Sequence, residues 1–222
     1  MKKKVSLLTP TTKSRFHFFE RLIICVENQD YKNFEWIILD DYFNENLYNL
    51  VKSKSFVRYI SCNKKKNIGE KRNQLNELAT GDLLINIDDD DYYPPNKISY
   101  TLKEMTKNPE YLVSGSSCIY MYFDKNIYKI GPYGNNHATA NTFSYYKSYS
   151  SKYATVSKGE EKSFLKNYTT NLLQLESKNV ILVIRHNTNT ANNANINRYR
   201  VAKTTLNLSD FIENDYLRSL FE

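Results

Sequence analysis

Two hydrophobic rhythms succeed each other along the chain. "VSLLT" (Val5 to Thr9) is a short apolar run rich in strand formers and stopped by Pro10, which predicts a buried strand. Phe19, Leu22, Ile23 and Val26 then recur at i, i+3, i+4 and i+7, one face of a helix. "FEWIILDD" is a second apolar run that ends in Asp40 and Asp41, and a short helical pattern follows through Leu47, Leu50 and Val51. "FVRYI" predicts a third strand. "GEKRNQLNELATGD" predicts a helix with Leu75, Leu78 and Ala79 inward and Gly81 as its stop, and it delivers the chain into a fourth strand, "LLINI". Strands alternating with helices at this spacing imply βαβ units and a mostly parallel sheet.

The second half changes character. Pro94 and Pro95 stand where proline suits the first turn of a helix, and Ile98, Leu102 and Met105 continue at helical spacing to a stop at Asn108 and Pro109. "SCIYMYFDKNIYKI" alternates Ile119, Met121 and Phe123 against Tyr120 and Tyr122, and a turn at Asp124, Lys125 and Asn126 makes it an antiparallel hairpin. "VILVIRH" (Val180 to His186) reads as a late strand, and "NTNTANNANINR" after it as low-complexity loop. In the tail "SDFIENDYLRSLFE", Asp210 and Glu213 have capping-box spacing ahead of Leu217, Leu220 and Phe221, so a C-terminal helix is expected. The fold class is therefore α/β: a mostly parallel, Rossmann-like sheet with helices on both faces and a smaller antiparallel element in the second half.

Composition narrows the field without deciding it. With 222 residues, 41% of them hydrophobic, the chain suits a single unit with a sizeable core. Its formal net charge of +7 admits a polyanion or phosphorylated ligand as partner, although dispersed lysine equally just solvates a surface. Cys25, Cys62 and Cys118 are an odd number with no CxxC pair, so neither a disulfide framework nor a thiolate zinc site is indicated. The basic start "MKKKVSLLTPTT" has too short an apolar run for a signal sequence, and no stretch nears the ~18 apolar residues of a membrane span. A soluble, cytoplasmic protein is the expectation.

The chemistry gathers where strands end. "TPTT" follows the first strand, Asp40 and Asp41 the second, and Asp88, Asp89, Asp90 and Asp91 the fourth; all three clusters should share one edge of the sheet, where open α/β sheets bind ligands. Four adjacent carboxylates repel one another, and a hard divalent ion resolves the repulsion, because Mg²⁺ or Mn²⁺ takes oxygen ligands and leaves positions for phosphates. A nucleotide with its metal could lie across such an edge. His137, in the loop "GPYGNNHATANT", could belong to a wall facing donor phosphates or acceptor, or to a surface loop with no role.

"VSLLTPTT", "FEWIILDD", "NIGEKRNQLNELATGDLLINIDDDDYYPP" and the later "GEEKSFL", in this order, resemble the GT-A fold glycosyltransferases, in particular the family 2-like enzymes. The resemblance is good over roughly the first 100 residues and looser after them. It implies a metal-dependent transferase that moves a sugar from a nucleotide-sugar donor, usually UDP-linked, to a hydroxyl of a glycan or other acceptor. It implies too a nucleotide-binding half (1–109), an acceptor and catalytic half (110–204) and the C-terminal helix (205–222).

Carried over residue by residue, the resemblance puts Thr9, Pro10 and Thr11 along the nucleotide and Asp41 on the uracil ring, with Asp40 the near alternative. It brings Arg72 to the base or phosphates. Asp88 then faces the ribose and Asp90 the metal; Asp89 could replace Asp88, and Asp91 begins the next turn. Glu161 becomes the general base with Glu160 as runner-up, and inversion follows from a base opposite the leaving group. His186 would complete the metal site and favours manganese, though a histidine at a strand end also occurs without any role. The rival classes are a nucleotidyltransferase and a non-enzymatic nucleic-acid-binding domain. The first normally brings a glycine-rich loop that "TPTTKSR" lacks, and the second leaves four aspartates repelled by phosphate.

Overall fold

The computed structural model describes residues 3–186 and 201–222, so the polar run Asn187–Arg198, expected to be loop, lies outside the described residues. A seven-stranded sheet occupies the centre, built from β1 (Val5–Thr11), β2 (Phe34–Asp40), β3 (Val57–Ser61), β4 (Leu83–Asn86), β5 (Val113–Gly115), β8 (Ser144–Tyr146) and β9 (Leu172–Gln174). Its order is β3-β2-β1-β4-β8-β5-β9, and of these strands only β8 runs against its neighbours. The remaining strands β6 (Ile119–Phe123), β7 (Asn126–Ile130), β10 (Val183–Ile184) and β11 (Val201–Lys203) form a second sheet in the order β10-β6-β7-β11.

Strand alternation splits the apolar residues between two faces. Val5, Leu7, Trp36, Ile38, Leu83 and Ile85 meet α1 (Phe19–Glu27), α2 (Glu45–Val51), α4 (Lys97–Lys107) and α6 (Asp215–Ser219) on one side. Leu8, Ile37, Leu39 and Leu84 meet α3 (Ile68–Leu78) and α5 (Glu161–Phe164) on the other. Burial on both faces is why these strands read as continuous apolar runs.

Pro10 does not stop β1, which continues to Thr11. Leu8 and Pro10 direct their backbone polar atoms to the same side, toward β4, and the register with β4 ends at Leu8 opposite Asn86. The missing N–H of Pro10 therefore falls where no ladder remains to be broken. Asp124 and Lys125 supply the predicted hairpin turn with φ of 47° and 59°, the left-handed pair that matches strand twist. The smaller sheet is mixed, since β10 joins β6 in parallel.

Three expected elements are shorter or shifted. The late strand shrinks to Val183–Ile184, because the N–H groups of Val180 and Ile181 are spent on the Ser177 carbonyl in a 3₁₀ turn. Pro94 and Pro95 precede α4, whose first helical residue is Lys97. In the tail, Asn207 and Asp210 make a reciprocal capping box on the 3₁₀ turn Leu208–Asp210, and Asn214 caps the five-residue α6, so Asp210 is the third position of one cap and not the start of another. Ile212, Leu217 and Phe221 still bury themselves against the α1 face. No helix among the described residues is long and apolar enough to cross a membrane.

Lys97 is fully buried, with Nζ donating to the Val180 carbonyl at 3.0 Å and lying 4.8 Å from the Tyr93 ring centroid. Burial pushes its amine down from 10.5 to about 7, against the attraction of Asp91 and Asp88. Between those values the unfolded chain holds a proton that the folded one has lost, so this group makes stability rise with pH. Lys97→Met removes the titration. In urea unfolding, wild type should gain stability relative to Lys97→Met between pH 7 and about pH 9.5, and two parallel pH curves would refute the assignment.

Candidate active site

The carboxyl ends of β1, β2 and β4 open onto one edge, and the four aspartates after β4 leave it in different directions. Asp88 meets α3: Arg72 Nη2 donates to both its oxygens at 3.0 and 3.1 Å. Asp89 turns back to β1, accepting from Thr11 Oγ1 and from Arg15 Nε, each at 2.7 Å. Asp90 pairs with Arg15 Nη2 and lies 3.0 Å from His186 Nε2. Asp91 accepts from Asn141 Nδ2 at 2.8 Å and from the Ile184 N–H at 3.0 Å, which ties it to the second half of the chain. Exposure divides the run: the side chains of Asp88 and Asp90 are 25% and 12% exposed, that of Asp89 3%. Asp91 is buried as deeply as Asp89.

Charge follows the same division. Burial and the neighbouring Asp90 push the Asp89 carboxyl up to about 7, and burial with Asp90 and Asp88 raises Asp91 well above the usual carboxylate range. Burial also outweighs Arg72 at Asp88 and raises it. Asp90 goes the other way. Against the cost of burial, the His186 hydrogen bond and the Arg15 charge hold it below its ordinary value, so it is the firmly ionised member.

Around the end of β2, Asp41 accepts from Lys71 Nζ and from the Lys66 N–H, both at 3.1 Å. Lys71 also donates to the Thr11 carbonyl at 2.6 Å, locking the ends of β1 and β2 together. Asp40 is fully buried, raised by that burial, and accepts from the Tyr59 hydroxyl at 3.2 Å. Thr9 points into the core: its hydroxyl accepts the Trp36 indole N–H at 2.8 Å. An orphaned buried indole donor would cost about 1–3 kcal/mol, which accounts for a hydroxyl at this position. Pro10 and Thr11 stand between that core position and the carboxylates.

Arg72 is the hinge of the site. It sits on α3, whose start is fixed by a reciprocal capping box between Asn67 and Glu70. Besides Asp88 it reaches Glu160 Oε1 through Nε at 3.2 Å, while its buried Nη1 has no hydrogen-bond partner among the described residues. Glu160 is thereby spent inside the fold. Glu161, the next residue and the first of α5, is half-buried and raised by that burial with the Glu160 charge beside it. His137 lies between Tyr133 and Tyr168, with ring centroids 4.8 and 5.1 Å away. Burial lowers it, and Tyr168 in turn feels the charge of Glu161.

Arg15, Lys71 and Asn141 are the contributors that sequence reasoning missed. The signal for Arg15 was present in "TPTTKSR", a cation in the loop that the topology delivers to the acids. Asn141 had none, since its partner Asp91 lies 50 residues away. Among the described residues no three His, Cys, Asp or Glu side chains converge as a metal cluster; Asp90 and His186 are a pair.

A model of glycosyl transferase family 2 matches residues 6–157, more than half of the chain. The chain belongs to that family. A search of curated proteins found no match. Among solved structures, S. aureus TarS 1–349 in complex with UDP-GlcNAc superposes with a TM-score of 0.68 at 14% identity, covering 85% of this chain and 61% of that one. The mannosyltransferase PcManGT from Pyrobaculum calidifontis, in complex with GDP-Man and Mn²⁺, gives 0.63 at 10% identity, covering 82% and 57%. At such identities the likeness is one of fold, and that fold is GT-A. The chain spans about 60% of the length of these solved structures.

The loop that carries Glu160 to Arg72 depends on Gly69. A Cβ there would lie 1.7 Å from the Ala154 carbonyl oxygen, a backbone atom that cannot rotate away. Gly69→Ala should therefore lower the unfolding free energy by about 1–3 kcal/mol in urea titrations, and an unchanged midpoint would show that residues 153–156 do not rest on α3.

Proposed function

We propose that the chain is a metal-dependent glycosyltransferase that moves a sugar from a nucleotide donor, UDP-linked by preference, to an acceptor hydroxyl with inversion. The observation that carries this is the division within the aspartate run: Asp88 and Asp90 keep exposure at the sheet edge while Asp89 and Asp91 are spent inside the fold. That supports Asp88 facing the ribose and Asp90 facing the metal. The ligands of the two solved structures, UDP-GlcNAc with one and GDP-Man and Mn²⁺ with the other, support the donor class.

The residues fit a divalent ion. Asp90 and His186 offer an ionised carboxylate and an imidazole, a set that suits Mn²⁺, and two protein ligands suffice where substrate phosphates supply the rest. An ion bound there would neutralise the charge that gathers on the departing diphosphate.

This chain's own residues do the remaining work. Asp41, held by Lys71 and the Lys66 N–H, is placed to accept from the base, and Pro10 and Thr11 border the same crevice. The unspent Nη1 of Arg72 supports a contact with donor phosphate. Glu161 is the base: its raised carboxyl takes the acceptor proton as the acceptor oxygen bonds to the anomeric carbon and the bond to diphosphate breaks. Glu160, tied to Arg72, orients the donor side instead. In this reading residues 1–109 hold the donor and 110–204 the acceptor.

UDP with Mn²⁺ should raise the melting temperature, Asp90→Ala should abolish that shift, and Glu161→Ala should keep it while losing Mn²⁺-dependent turnover of the nucleotide sugar. A shift with a nucleoside triphosphate or single-stranded nucleic acid, and none with UDP and Mn²⁺, would overturn the proposal.

A further inference from the structure

Arg15 performs a task that metal binding by Asp90 does not explain. It is rooted in the 3₁₀ turn Lys13–Phe18 after β1, its side chain is 18% exposed, and its guanidinium lies 5.1 Å from the Phe18 ring centroid. Phe18 packs in turn on His186, with ring centroids 4.6 Å apart. Nε engages Asp89 while Nη2 engages Asp90 on Oδ2, the same oxygen that His186 approaches. One cation thus bridges a carboxylate that is sealed in the fold and one that faces the crevice.

We propose that Arg15 is a resident counter-ion that excludes the divalent ion until the nucleotide arrives, making metal and donor binding strongly interdependent. This rests on the donor and metal reading above. Without donor, the ion must displace a guanidinium from Asp90, and the other exposed carboxylate of the run, Asp88, is already held through both oxygens by Arg72. With donor bound, Nη2 leaves Asp90 while Nε keeps its bond to Asp89, so the side chain pivots about Asp89 and its freed N–H groups meet diphosphate oxygen. Planar guanidinium geometry permits this exchange, since its N–H groups point in different directions from one rigid fork. Asp89 then has a reason to be acidic: it is the pivot, held on its other oxygen by Thr11.

Coupling of this kind is reciprocal, so it can be read from the metal side alone. Mn²⁺ affinity is measured by electron paramagnetic resonance of the free ion, with and without saturating UDP, for wild type, Arg15→Met, Arg15→Gln and Arg15→Lys. Wild type should bind Mn²⁺ weakly alone and much more tightly with UDP. Arg15→Met should bind Mn²⁺ alone about tenfold more tightly, and the factor by which UDP improves it should shrink by a similar amount. Arg15→Gln repeats the test should the Met variant misfold, and Arg15→Lys, which keeps a competing charge, should leave Mn²⁺ alone near the wild-type affinity. General damage to the site would weaken Mn²⁺ in every variant, the opposite sign. Unchanged or weaker Mn²⁺ binding in both neutral variants, with UDP coupling intact in wild type, overturns the counter-ion role and leaves the donor reading standing. Absence of any UDP effect on Mn²⁺ binding in wild type overturns both.

Discussion

Four carboxylates at the end of a core strand are the constraint around which this molecule is organised. Asp88 to Asp91 cannot all stay ionised in one place, and the fold disperses them: one to α3, two to the loop after β1, one to the Asn141 turn and β10. Each partner is itself fixed by something else. Arg72 carries the compensation on to Glu160, and Lys71 on the same helix closes β1 against β2. Repulsion that would unfold an isolated strand end becomes the reason why distant segments converge. Burial raises the carboxyls of Asp88, Asp89 and Asp91, so Asp90, which His186 and Arg15 hold ionised, is the member of the run best able to attract a cation.

How far the sequence disclosed this depended on range. Apolar period fixed β1 to β4 and the helices between them, because residues such as Leu22, Trp36 and Leu75 face a core whichever neighbour supplies it. The polar clusters at strand ends were legible for the same reason: parallel strands must finish at one edge. Direction was harder to read. Thr9 looked like part of a nucleotide wall, yet alternation places it on the Trp36 face, one residue short of where β1 opens to the crevice. Pro10 looked like a terminator because whether its side of β1 has a neighbour is a property of the sheet and not of the segment. β8, three residues between β4 and β5, carries too little pattern to announce itself.

The same limit applies to the tyrosines. Tyr145, Tyr149 and Tyr153 could be taken for sugar-stacking residues, but they are the packing around Phe164, whose ring centroid is 4.8, 5.2 and 4.1 Å from theirs. Their hydroxyls are satisfied inside the protein: Tyr145 donates to Asn76, Tyr149 to the Phe164 carbonyl, and Tyr153 accepts from Asn86. Buried aromatic hydroxyls with partners hold a surface in shape and leave nothing for a ligand.

The second half of the chain has few long ladders, and its short strands are held by the Phe164 cluster and by the Asp91 contacts. Tyr133, His137 and Tyr168 make a further set of ring contacts there, with Tyr133 43% exposed. Tyr168 reaches its position through three successive left-handed residues, Lys166, Asn167 and Tyr168, with φ of 50°, 58° and 63°. Backbone of that kind persists only where surrounding contacts enforce it, here the Asn167 N–H bond to the carbonyl of Lys162, the second residue of α5. The helix that carries Glu161 thus also fixes Tyr168, so that both residues share one support. Glu160, at the start of the same helix, pairs with Arg72, so this support is tied to the carboxylate edge as well, and a change in the aromatic packing around α5 reaches Asp88 through Arg72.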